Sequence, residues 1–81
     1  MNDEERAQIL QLIEDIRDMG YVANWNNPCA HIEVMHSEFD DWCHAILWVK
    51  DGKVMGEFGD KNVEICGLDE KKKLEEHLEN L

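Results

Sequence analysis

At 81 residues the chain has room for one domain around one core, and 43% hydrophobic residues with three tryptophans exclude a disordered acidic tail. Nineteen acidic against eight basic residues give a formal net charge of −11. That charge repels a nucleic-acid backbone and an anionic membrane surface alike, so the field favours a basic partner.

Residues 3–19 read as a helix, because Ile9, Leu12, Ile13, Ile16 and Met19 recur at three- and four-residue steps and form one apolar stripe. Asn2 is placed to cap it, with Glu5 at capping-box spacing and Gly20 at the left-handed C′ position. Opposite the stripe, Glu4, Gln8, Gln11, Asp15 and Asp18 form an acidic-polar ridge expected to face solvent or a partner. From Tyr21 the period becomes two, and residues 21–26 are a first strand or an extended lead-in, ended by Asn26-Asn27-Pro28. Ala30, Ile32 and Val34 then share one face, with His31, Glu33 and Met35 on the other. A polar turn at 38–41 leads to a strand at 42–49 that is apolar on both faces and therefore central, with Trp48 read as core.

Lys50-Asp51-Gly52-Lys53 is a type I′ hairpin signal. The return strand covers 54–58, with Gly56 as a candidate bulge, and 63–66 forms an edge strand. Asp69 is the expected N-cap of a final helix that buries Leu74, Leu78 and Leu81. The expected fold is a single α+β domain over residues 1–81: helix, antiparallel sheet of three to four strands, helix.

Chemistry-bearing motifs are sparse. Cys29, Cys43 and Cys66 are odd in number and lack a CxxC pair, which indicates reduced thiols in a cytoplasmic setting. The acidic start Asn2-Asp3-Glu4-Glu5 is the reverse of a basic signal-peptide start. No apolar run reaches the roughly 20 residues of a membrane span. Pairing across the 38–41 turn brings His36 near Cys43 or His44, which supplies two ligands where structural zinc takes four. Cys29 and His31 fall elsewhere, so no metal or cofactor is expected. No nucleophile triad, sheltered carboxylate dyad or phosphate-binding glycine loop is present, and the chain is expected not to be an enzyme.

The acids are distributed unevenly. The 32 residues from Asp18 to Val49 contain no Lys or Arg but hold Asp18, Glu33, Glu38, Asp40 and Asp41. Phe39 and Trp42 lie beside the turn acids. Carboxylates around aromatic anchors suit an Arg-rich surface, so Glu4, Asp15, Asp18, Glu33, Glu38, Phe39, Asp40, Asp41 and Trp42 are the candidate partner-binding residues.

In element order the chain resembles double-stranded-RNA-binding domains, but Asp69-Glu70 and Glu75, Glu76 and Glu79 around Lys71, Lys72 and Lys73 give the last helix the wrong charge for RNA. In size, charge and layout it resembles phage-encoded acidic inhibitors of the anti-CRISPR and nucleic-acid-mimic kind. That resemblance implies a non-enzymatic protein that inhibits a nucleic-acid-binding protein by occupying its basic groove. The alternative is a protein-interaction or assembly module, a homodimer formed through the edge at 63–66 or the strand after Pro28, with the charge serving solubility alone.

Overall fold

The computed structural model describes residues 2–37, 39, 43–58 and 60–80. Helix α1 (Asp3–Asp18) is followed by β1 (Val22–Asn26), β2 (His31–Met35), β3 (Ala45–Lys50), β4 (Lys53–Phe58), β5 (Lys61–Gly67) and helix α2 (Lys71–Glu79). The strands form one antiparallel five-stranded sheet in the order β1-β2-β3-β4-β5. The α+β layout is the expected one, with β1 completing the sheet as a separate strand. Among the described residues, no helix is long and apolar enough to cross a membrane.

Local chemistry accounts for the ends of α1. Asn2 Oδ1 accepts the Glu5 backbone N–H at 2.8 Å, and Gly20 takes a φ of 97° just past the C-cap Met19. In the β3–β4 hairpin Asp51 and Gly52 both have positive φ, 53° and 76°, as a type I′ turn requires.

Both helices cover the same side of the sheet. Ile9, Leu12, Ile13 and Ile16 of α1 and Leu74 and Leu78 of α2 join one core with Ala23, Ile32, Val34, Leu47, Val54 and Cys66. Lys71 Nζ of α2 reaches Asp15 Oδ1 of α1 at 3.0 Å, so the start of α2 lies beside the last turn of α1. The alternate strand residues therefore point away from the helices, and no described element covers that second face.

Five expectations change. Trp48 is not core: β3 buries Ala45, Leu47 and Val49 and turns Ile46 and Trp48, both half-buried, to the uncovered side. Asp15 does not face solvent, being 6% exposed and held by Lys71 and the Gln11 side chain. The bulge lies in β5, where Val54 pairs with Cys66 and Met55 with Glu64, leaving Ile65 as the extra residue. Gly56 instead makes room for its neighbours, since a Cβ there would meet the Ile65 and Leu47 side chains and the Ile46 carbonyl. Glu70, not Asp69, is the N-cap residue of α2, and its Oε1 accepts the Gly67 N–H at 2.8 Å instead of capping the helix.

The fifth change concerns edges. β5 is an edge strand as expected, but β2, which follows Pro28, is paired on both sides. The edge on that side is β1, and Arg17 donates two hydrogen bonds, at 3.0 and 2.8 Å, to its Ala23 carbonyl. An edge carbonyl used in this way is withdrawn from pairing with another chain.

Candidate interaction surface

The acids singled out from the sequence sort onto two layers. Glu4 and Asp18 are exposed on α1, in the helical layer. Asp15 is spent internally, and the α2 lysines act locally on this layer: Lys71 on Asp15 and Lys73 on Glu70, the latter at 2.7 Å. Lys71 and Lys72 also line a shallow groove with Asp15, Asp18 and Glu75. The C-terminal end of the α1 ridge is thus partly neutralised. Glu33 belongs to the other layer, because its neighbours Ile32 and Val34 point into the core. Glu38, Asp40, Asp41 and Trp42 lie outside the described residues. Phe39 is described and is 91% exposed, the position of a potential anchor instead of a core residue.

The uncovered sheet face is built by strand alternation. Across it, Asn24 pairs with Glu33 and Glu33 with Ile46, and next to that rank Trp48 pairs with Met55 and Met55 with Glu64. Ile46, Trp48 and Met55 thus form a half-buried apolar centre, with Glu33 opposite Ile46 at one end and the Lys50–Lys53 pair next to Trp48 and Met55 at the other. Lys53 Nζ holds Glu64 Oε1 at 2.9 Å at one margin.

Glu33 is held in position. Asn26 Nδ2 donates to its Oε1 at 2.7 Å, and His31 Nε2 lies 3.4 Å from the same oxygen. The Asn26 hydrogen bond, followed by that of His31, holds the Glu33 carboxyl below the usual range, so it is ionised across neutral pH. Cys43 lies just before β3, its thiol 3.1 Å from the Ala45 carbonyl oxygen. Although the residue is exposed, partial desolvation of its sulfur pushes the thiol pKa up, and the charges of Glu33 and Glu57 add to that. A thiol kept protonated in this way is a poor nucleophile.

The histidines sort differently from the cysteines. His36 and His44 do lie together, with ring centroids 3.8 Å apart, and Tyr21 stacks on His44 at 5.8 Å. His44 Nε2 lies 2.7 Å from the Leu78 carbonyl oxygen, tying the start of β3 to the end of α2. Cys29 is exposed in the β1–β2 turn, its N–H bonded to Asn26 Oδ1, and Cys66 is buried beside α2. Among the described residues, no three His, Cys, Asp or Glu side chains are arranged to hold a metal ion. The His36–His44 pair acts as a structural clasp.

One further concavity, of about 400 Å³, lies between the first half of α1 and Trp25, lined by Asp3, Arg6, Ile9, Leu10 and Ile13. Leu10 is 58% exposed at its mouth. Its walls are mainly apolar, with Asp3, Arg6 and Asn27 as the polar lining residues. It offers contact area and no evident reaction chemistry.

The fold and surface define a class: a two-layer α+β protein with helices on one face of an antiparallel meander and an apolar, acid-flanked opposite face. Comparison with family profiles, curated proteins and solved structures finds no match to this chain.

Proposed function

We propose that the chain is a non-enzymatic acidic binding protein that occupies the basic groove of a nucleic-acid-binding protein, in the manner of acidic phage-encoded inhibitors. The observation that carries this reading is the uncompensated charge. The chain has a net charge of −11, and among the described residues the carboxylates held by lysine are Asp15, Glu64 and Glu70. Arg17 is committed to a backbone carbonyl. Carboxylates left in solvent create a potential that raises the association rate with a basic surface and opposes nucleic acid itself.

Competition tests the reading. A basic protein captured from host extract, then purified, should release its labelled nucleic acid as the chain is added, with affinity falling steeply between about 50 and 300 mM salt. Charge reversal at Asp40 and Asp41 should weaken the competition. A ternary complex of chain, captured protein and nucleic acid, or salt-independent affinity, would overturn it.

A further inference from the structure

The second face of the sheet has a composition that the fold itself leaves unexplained. A strand that is apolar on both sides is ordinarily covered on both sides. In β3, Leu47 and Val49 join the core that the helices cover, while Ile46 and Trp48 have only their cross-strand neighbours and no described element above them. Met55 continues the apolar centre onto β4 opposite Trp48, and half-buried Met35 extends the same face on β2. A large aromatic with an adaptable methionine beside it is typical of binding surfaces.

Charge decides what fits there. Glu33 lies opposite Ile46, and Glu57, an exposed β4 residue, shares the outward alternation of Met55. Glu57 follows Gly56, the partner of Leu47, so the two carboxylates flank Ile46 from either side. Lys50 and Lys53, paired with each other at the hairpin, close the other end of the same face, so its acidic character is confined to the Glu33 and Glu57 end, and that end selects a cationic group. A nucleic-acid strand is disfavoured by the net charge of −11.

We propose that this uncovered face, with Ile46, Trp48 and Met55 between Glu33 and Glu57, docks an arginine-bearing segment of a partner protein. Arginine suits both halves of the surface: its planar guanidinium stacks on the Trp48 ring and pairs bidentately with a carboxylate. Its methylene stem lies along Ile46 and Met55. Hydrogen bonds from Asn26 and His31 hold Glu33 ready for that pairing at little ordering cost. The inference rests on the reading that the partner is basic and assigns the contact to the sheet face instead of the helical layer.

The test uses the full chain and a synthetic peptide of alternating arginine and leucine, with a glutamate-for-arginine peptide as control. The arginine peptide should shift the amide resonances of Ile46, Trp48 and Met55. Its affinity should fall about tenfold or more in Trp48→Ser and, separately, in the Glu33→Gln/Glu57→Gln double variant. The double variant retains the apolar packing, so it remains informative if the tryptophan variant unfolds. Three outcomes overturn the inference: shifts confined to α1 with unchanged affinity in both variants, equal binding of the glutamate peptide, or a salt-insensitive dimer that Trp48→Ser abolishes. The first of these leaves the basic-partner reading intact. Failure of the nucleic-acid competition together with peptide binding at Trp48 sinks that reading and leaves the docking face standing.

Discussion

Leu47 and Trp48 are neighbours in one strand and have opposite surroundings. Leu47 is fully buried under α1, at 0% exposure, whereas Trp48 faces away from both helices with Met55 as its cross-strand partner. The two sides of the sheet therefore have different tasks. The covered side stabilises the fold by taking apolar surface out of water, each buried aliphatic side chain contributing roughly 1.5–3 kcal/mol. The uncovered side carries comparable apolar groups but leaves them half in solvent between carboxylates. On the proposed reading, that half-exposed apolar centre serves binding more than folding.

The comparison breaks most sharply in denaturation. Leu47→Ala should cost about 2–5 kcal/mol through lost burial and the cavity left behind, while Trp48→Ser should cost about 1 kcal/mol, the scale of a cross-strand pair. Urea midpoints of the two variants check both, and equal losses would mean the second face is as structural as the first. Next in size is Gly56→Ala. The added methyl meets Leu47 and Ile65 on the covered side, for an expected loss of about 1–3 kcal/mol. Asp15→Ala removes the anchor between the helices and should cost about 1 kcal/mol, since Lys71 stays solvated when freed. By contrast, the Glu33→Gln/Glu57→Gln pair should change stability by no more than about 0.5 kcal/mol. A larger loss would make those carboxylates part of the scaffold.

The smallest expected effect is with pH. Burial, and then the neighbouring His44, hold the His77 pKa below the ordinary histidine value of 6.5. The unfolded chain therefore binds more protons than the folded one in the window just below that value. Stability should be fully present above it and decline as pH falls through the folded pKa. The urea midpoint of His77→Gln should show a shallower decline between about pH 7 and pH 5 than that of the parent chain.

Local features were readable directly from residue order. Asn2 and Gly20 mark the ends of α1 because capping and left-handed backbone depend on the residue at that position. Asp51-Gly52 marks its hairpin for the same reason. Strand pairing places His36 near Cys43 or His44, and the structure selects His44. Asp15 was misread because helical spacing places it on the polar ridge, and only the arrival of Lys71 from the far end of the chain encloses it. Ile65 gave no sign of being the extra residue in β5, since a bulge is a relation between two strands.

Residue order by itself determined the α+β class, the boundaries set by caps and turns, the apolar stripe of α1 and the strongly negative field, all of which depend on near neighbours or on simple totals. Tertiary structure alone decided which side of the sheet the helices would cover. Both faces of β3 are apolar, and periodicity distinguishes two faces without saying which receives a partner. That choice arises from both α1 and α2 packing their apolar residues onto one side of the sheet, which leaves Trp48 on the other.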